Sequence, residues 1–245
     1  MFSIFKKRRP SQNFDLSAVR TDMHSHLLPG IDDGSPDVEQ SIVLINGLLE
    51  LGLQNFITTP HIMWDMYKNT NEIVIGKEKL LKESIGETPL RAAAEYYLDE
   101  HLDDLLYKKS PLLTIQENKV LVEFSFVSMP LKWKDSIFNL QLNGYQPIIA
   151  HPERYSYLSR DKEIYDELKS LECLFQLNLL SLTGYYNKAA MDLAHYLLDK
   201  KYINLLGTDL HHTRHLEALQ NAGNIMPAIN KLLDSGALLN PSLVP

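Results

Sequence analysis

The stretch Val19-Arg20-Thr21-Asp22-Met23-His24-Ser25-His26, followed closely by Asp32-Asp33-Gly34-Ser35-Pro36-Asp37, decides how this chain is read. A short apolar run ends in two histidines, a polar turn follows, and a helix begins. Ser35 is expected to cap that helix, Pro36 suits its first position, and Asp37 complements the positive end of its dipole. Val38, Ile42, Ile45 and Leu49 then recur at helical spacing as an expected buried stripe, with Gly52 as the terminator.

The same punctuation recurs along the chain. Apolar runs at Val19–His24, Asn55–Thr59, Leu90–Glu95, Val120–Glu123, Gln146–Ala150, Leu174–Leu177 and Ile203–Thr208 read as strands. Their short, nearly continuous apolar character suits burial on both faces, as in a parallel sheet or barrel. Helices are predicted between them at Glu72–Glu83, Leu102–Lys108, Trp133–Asn143, Asp161–Leu171, Lys188–Lys200 and Met226–Ser235. With no Pro/Ser-rich linker, this alternation predicts one barrel-like α/β domain over residues 19–245. An open doubly wound sheet is the alternative, but its site gathers at one switch point, which six contributing strands would overfill.

At 245 residues, the chain has the length of one large domain or two small ones. Its 24 Lys and Arg against 31 Asp and Glu give a net charge of −7, which argues against nucleic acid as the main partner. The single cysteine, Cys173, excludes an intramolecular disulfide framework and fits a reducing, cytoplasmic setting. No apolar stretch approaches the roughly 20 residues that span a bilayer, so no integral membrane segment is expected. The basic run Lys6-Lys7-Arg8-Arg9 follows its apolar neighbours, the reverse of a secretory signal. Residues 1–18 therefore read as a basic, flexible extension; weak contact with an acidic partner or anionic membrane surface is the sharper reading.

Chemistry concentrates where the apolar runs end. In an extended segment residues two apart point to the same side, so His24 and His26 could reach one cation. His61, Glu95, Glu123, His151, Asp209 and His211 end the other runs. Each alone reads as structural, but together they point to a multinuclear metal site, because imidazole suits divalent transition metals and carboxylates can bridge them. Asp32-Asp33-Gly34-Ser35 is a turn that could also supply Asp33 as a ligand. In His151-Pro152-Glu153-Arg154-Tyr155, Arg154 could fork two bonds to phosphate, or pair on the surface with Glu153 or another acid. The chain lacks the Gly-rich nucleotide loops and the G-x-S-x-G elbow. Cys173 sits at the edge of a predicted strand, in Leu171-Glu172-Cys173-Leu174-Phe175, without an anion-binding turn and reads as buried and inert. Metal-activated water is the mechanism left.

Taken in order, the H-S-H at His24–His26, D-D-G-S at Asp32–Ser35, T-P-H ending at His61, H-P-E-R-Y at His151–Tyr155 and D-x-H at Asp209–His211 resemble the polymerase-and-histidinol-phosphatase (PHP) superfamily. Within it they are most similar to manganese-dependent bacterial protein-tyrosine phosphatases encoded with capsule and exopolysaccharide genes, over about residues 19–240. The resemblance implies a distorted (β/α)7 barrel holding three divalent ions, Mn2+ foremost, with Fe, Zn or Co as alternatives. It assigns His24, His26 and Asp209 to one ion, with Glu95 bridging to a second that adds Glu123 and His151. Asp33, His61 and His211 would hold the third. Arg154 matches a phosphate-contacting arginine. Relatives carry a second arginine five residues after the final histidine, where this chain has Leu216, and Arg214 is its expected counterpart. His212 and His215 are expected in an exposed loop, where either could face the leaving group, and His101 and His195 are given no ligand role. The implied reaction is hydrolysis of phosphotyrosine on the tyrosine-rich tail of a bacterial tyrosine kinase in polysaccharide export. A small-molecule phosphomonoesterase, such as histidinol-phosphate phosphatase, and a non-catalytic metal-bound scaffold are the alternatives.

Overall fold

The apolar runs pair side by side and all in parallel in the computed structural model, which describes residues 14–245. In chain order the strands are β1 (Thr21–Asp22), β2 (Asn55–Thr58), β3 (His61–Ile62), β4 (Leu90–Ala92), β5 (Glu95–Tyr97), β6 (Lys119–Glu123), β7 (Gln146–Ala150), β8 (Leu174–Asn178) and β9 (Leu205–Gly207). One sheet runs β1-β2-β4 and the other β3-β5-β6-β7-β8-β9. They are two parts of one wall. Pro60 has no N–H to give a ladder and separates β2 from β3. Across the break, Ala93 donates its N–H to Thr58 O at 2.8 Å and Glu95 donates to Pro60 O at 3.1 Å. Counting β2/β3 and β4/β5 as interrupted strands, seven strands go around, as expected of a distorted (β/α)7 barrel. The expected single strand Leu90–Glu95 is two, and β3 lies beyond the expected end of its run at Thr59.

The wall closes between β9 and β1, largely through side chains. At the upper end Asp209 N donates to His24 O (2.7 Å) and His26 N to Leu210 O (2.9 Å), a parallel bridge. Lower down, buried Asp22 accepts from both Thr208 N (2.9 Å) and Thr208 Oγ1 (2.7 Å). Below that, Asn240 acts as an inserted peptide: its Nδ2 donates to Thr21 O and Leu206 O, and its Oδ1 accepts from Leu206 N. Buried main-chain groups need such partners, and β1 is too short to supply them.

Helices α1 (Val38–Glu50), α2 (Asn71–Ile85), α3 (Glu100–Tyr107), α4 (Trp133–Leu142), α5 (Glu163–Ser170), α6 (Lys188–Asp199), α7 (Thr213–Gln220) and α8 (Met226–Asp234) complete the fold. The main core draws on strands and helices alike, from Phe14 to Leu238, while a smaller cluster of Met23, Ile57, Leu121, Ile148 and Leu205 holds alternate strand positions. Along β6, Val120 and Val122 belong to the main core and Leu121 to the smaller cluster. Glu123, two residues after Leu121, therefore shares its face.

Several expectations shift. Asp37, not Ser35, caps α1, accepting from Gln40 N at 2.8 Å, while Ser35 is buried and donates to Asp37 O. The buried stripe of α1 is Ser41, Leu44, Ile45 and Leu48, and Leu49 is exposed. Gly52 ends the helix at φ +96°, where a side chain would be strained. Lys6–Arg9 lie outside the described residues. Within the expected extension, Phe14 and Leu16 are already buried in the core. Among the described residues no helix is long and apolar enough to cross a membrane.

Candidate metal centre

Strand after strand ends on one point. His24 and His26 follow β1, His61 opens β3, Glu95 opens β5, Glu123 ends β6, His151 follows β7, and Asp209 and His211 follow β9. Most are fully buried; His61 is nearly so, and Asp33 is half-exposed at the rim. His24 Nε2 lies 3.2 Å from Glu95 Oε2 and 3.3 Å from Asp209 Oδ1. His26 Nε2 approaches the same two oxygens at 3.4 and 3.3 Å. The other oxygen of Glu95 faces His151 Nε2 at 3.1 Å, and Glu123 Oε1 is 3.5 Å from that nitrogen. The two oxygens of Glu95 thus face two sets of donors, as in a bridging carboxylate. At the rim, Asp33 Oδ1 lies 3.6 Å from His61 Nε2 and 3.5 Å from His211 Nε2. All nine expected ligands converge. The grouping differs from the expected sets: the rim set additionally includes His26, His151 groups with His24 and Asp209, and Glu123 and Glu95 group with His61.

The donors fit divalent cations on their own chemistry. Four buried atoms, His24 Nε2, His26 Nε2, His61 Nδ1 and Glu95 Oε2, point at one another without a hydrogen-bond partner. Orphaned buried donors and acceptors are costly, and a coordinated ion removes the cost. The far ring nitrogens are held: His24 Nδ1 is 2.8 Å from Gln176 Oε1, His26 Nδ1 is 2.8 Å from Asp32 Oδ2, and His211 Nδ1 is 2.9 Å from Asp209 O. Asp32 Oδ2 also accepts from His61 N at 3.1 Å. Such partners orient ligating imidazoles.

Charge is equally crowded. Burial opposes ionisation, yet the imidazoles of His24 and His61 hold the Glu95 carboxyl well below its usual range. Asp209 is held low against burial by His24 and His211. Burial, with Glu95 and Asp209 nearby, pushes Glu123 well above that range. Burial and Arg154 bring His151 down to about 4. His24 and His26 rise despite burial, because Glu95 and Asp209 face the first and Asp32 the second. Three carboxylates thus share a space so short of water that one is driven toward its neutral form, and divalent charge relieves this.

Arg154 borders the cluster. Its Nη1 is 2.5 Å from Asp209 Oδ2, and its guanidinium lies between Tyr186 and Phe126, 4.1 and 4.8 Å from the ring centroids. It does not pair with Glu153. That carboxylate turns inward, accepts from Asn178 N and Ser181 Oγ, and is pushed up to about 7 by burial. Asn178 Nδ2 donates to both Asp209 Oδ2 (3.0 Å) and Tyr186 OH (2.9 Å), tying the acid to the ring beneath the arginine.

The segment after Asp209 departs from expectation. It forms α7, with His212 as its cap and His215 inside it, both half-buried; His215 packs edge-on against His211 and Tyr185. Leu216 is buried against Gly47 of α1, where an added Cβ would come within 2.2 Å of it. This position is committed to helix packing. Arg214 is exposed on the first turn of α7 and forms no ion pair among the described residues. His101 stacks on Trp64 and His195 is exposed on α6, both away from the ligand groups. Sequence reading passed over Gln176 and Asn178 and took Asp32 only as part of a turn; a polar residue inside an apolar β8 was the one available signal.

A family model for capsular polysaccharide synthesis proteins, CpsB/CapC, matches residues 20–227. The chain belongs to the CpsB/CapC family. Tyrosine-protein phosphatase YwqE of Bacillus subtilis is 30% identical over 199 residues, covering 79% of this chain and 78% of that protein. Tyrosine-protein phosphatase CpsB of Streptococcus agalactiae is 27% identical over 205 residues, covering 78% and 82%. Among solved structures, a chain from those of YwqE from Bacillus subtilis and CpsB from Streptococcus pneumoniae, metal-dependent tyrosine phosphatases, matches with a TM-score of 0.74 at 26% identity, covering 91% and 90%. The phosphotriesterase homology protein of Escherichia coli shares the fold alone, with a TM-score of 0.53 at 16% identity over 92% and 98% of the two chains.

Proposed function

We propose that this CpsB/CapC member is a metal-dependent protein-tyrosine phosphatase working with three divalent ions, Mn2+ foremost. The observation that carries this reading is the convergence of nine ligand side chains on one buried cluster bordered by Arg154. His24, His26 and Asp209 would hold one ion, Glu95 would bridge to a second held by Glu123 and His151, and Asp33, His61 and His211 would hold the third. When bound, the ions supply Lewis acidity to phosphoryl oxygens and to water.

The chain's own groups do the rest. Arg154 offers a rigid fork of N–H donors to the equatorial phosphoryl oxygens, where charge accumulates during transfer. Tyr186 and Phe126 hold its plane, so little motion is needed to meet a phosphate. Arg214 adds a second, weaker cation at the rim. The half-exposed Phe126 beside Arg154 gives an aromatic leaving group a surface to lie on. A tyrosinate, with a parent pKa of about 10, leaves with less protonation help than a serine alkoxide. Burial pushes the Cys173 thiol up to about 12, so no phosphocysteine forms.

The substrate we favour is the phosphorylated tyrosine-rich tail of a bacterial tyrosine kinase of polysaccharide export, met in the cytoplasm. The test compares Mn2+-reconstituted protein on a phosphotyrosyl kinase tail and on histidinol phosphate, with a chelator control. Chelator-sensitive turnover favouring the tail supports the reading. Preference for histidinol phosphate would overturn the substrate, and ion binding with no phosphate release from either compound would overturn the enzyme.

A further inference from the structure

We propose that Gln176 is a positioning residue for ion binding, one carbonyl oxygen aiming His24 and anchoring His151; this rests on the metal-centre reading above. Gln176 is fully buried in β8, registered between Ala150 of β7 and Leu205 of β9. Its Oε1 lies 2.8 Å from His24 Nδ1 and 3.1 Å from His151 N. The proposed assignment gives these two residues to different ions, and with Asp209 they also form one close group, so one atom serves both.

The orientation of this amide follows from the backbone. His151 N–H can only donate, so the atom facing it must be the acceptor Oε1. The same oxygen facing His24 requires that Nδ1 carry the proton. The lone pair of His24 Nε2 then points at Glu95 and Asp209, where a cation needs it. The bond to His151 N serves a second purpose. His151 sits at φ +30°, ψ 56°, a left-handed conformation that L side chains disfavour, and this turn brings its ring back over Glu95 and Glu123.

Two further features isolate Oε1 as the reason for this residue. The other end of the amide, Nε2, is buried without a partner, so half of its hydrogen-bonding capacity goes unmet. Room for it is kept by Gly207, where an added Cβ would meet Gln176 Nε2 and His24 Cβ, each at 2.6 Å. The device is also repeated. Asp32 Oδ2 accepts from one ligand's ring nitrogen, His26 Nδ1, and from another's main chain, His61 N. One acceptor atom per pair of ligands occurs on both sides of Glu95.

The experiment uses the full chain and two substitutions, Gln176→Leu and Gln176→Glu, with Mn2+ affinity measured by dialysis and melting measured on metal-free protein. A carboxylate keeps both acceptor bonds, whereas leucine keeps only volume. Gln176→Leu is expected to weaken Mn2+ binding about 10–100-fold, and Gln176→Glu to restore it to within about threefold of wild type. Nitrogen-15 spectra of histidine-labelled, metal-free wild type, at a pH high enough to leave His24 neutral, should report the proton on Nδ1. Wild-type affinity in Gln176→Leu, equal weakening in both variants, or a His24 proton on Nε2 would overturn the proposal. The spectrum of the wild type decides it even if Gln176→Leu does not fold. If the protein binds no divalent ion, the metal-centre reading falls and this proposal with it, whereas ion binding with the His24 proton on Nε2 overturns this proposal alone.

Discussion

Replacing Arg154 with alanine should separate phosphate handling from ion retention. The guanidinium touches the cluster through Asp209 alone, at 2.5 Å, with one fifth of its side chain exposed to incoming substrate. Losing a charged donor aimed at a developing oxyanion costs roughly 2.7–4 kcal/mol, so kcat should fall about 10²–10³-fold. Asp209 keeps Asn178 Nδ2 at 3.0 Å and the rings of His24 and His26 at 3.3 Å, so its aim at the cations survives. The fold pays differently in the two states. Without ions, Asp209 loses its closest cation and two ring stackings go with it, about 1–3 kcal/mol after allowing for solvent screening and the remaining partners. At about 2–4 °C per kcal/mol for a chain of this size, metal-free melting should drop by several degrees, and metal-loaded melting by less, since the ions then satisfy Asp209. The assay combines phosphotyrosyl-peptide turnover, bound metal by mass spectrometry, and melting with and without chelator. Turnover within about threefold of wild type, or metal content falling in step with activity, would refute the reasoning.

Three other outcomes are expected. Cys173→Ser should keep full activity, and thiol-alkylating reagents should leave the native enzyme active, because the thiol is buried and pushed up to about 12; inactivation of folded enzyme by such a reagent would contradict this. Asn240→Ala should destabilise the protein by about 2–4 kcal/mol in urea unfolding, since it strands Leu206 N–H and two carbonyls at the closure, and a cost under about 0.5 kcal/mol would dismiss Asn240 as a seam. Ion binding should release protons near neutral pH and tighten as pH rises: His24, His26 and Glu123 stand above their ordinary values and hold protons that cations must displace, whereas His61 and His151 are lowered and already neutral. Calorimetry in buffers of different ionisation enthalpy reads this directly, and a buffer-independent heat would count against it.

The strands were legible because a parallel barrel buries both faces of each one, leaving apolar runs that need no partner to be recognised. β6 and β7 are placed as expected to within a residue for that reason. What failed were features set by neighbours. The run at Leu90–Glu95 reads as one strand, yet Pro60 breaks the adjacent strand and the pairing changes partner halfway along it. α7 was missed because its eight residues bury only Leu216 and Leu219, too few to display a period. The closure by Asp22, Thr208 and Asn240 joins groups up to 219 residues apart in sequence, and no local pattern marks such a seam.

The site divides along the same line. The proposed ligands other than Asp33 were legible because each stands where an apolar run stops on a histidine or acid; Asp33 lies in a turn. The residues that aim them stand elsewhere. Gln176 reads as one polar residue within an apolar strand, and its role appears only when the register sets it beside Ala150 and the closure brings His24 across from β1. Asp32 looks like half of a turn until His26 and His61 are seen to share one of its oxygens. A polar residue kept inside a barrel strand despite an unpaired amide nitrogen must serve something that is worth the loss. Here the adjacent strand ends in a left-handed histidine, and the seam opposite brings a second histidine to the same oxygen. Aiming those two rings is the work that the geometry leaves for it.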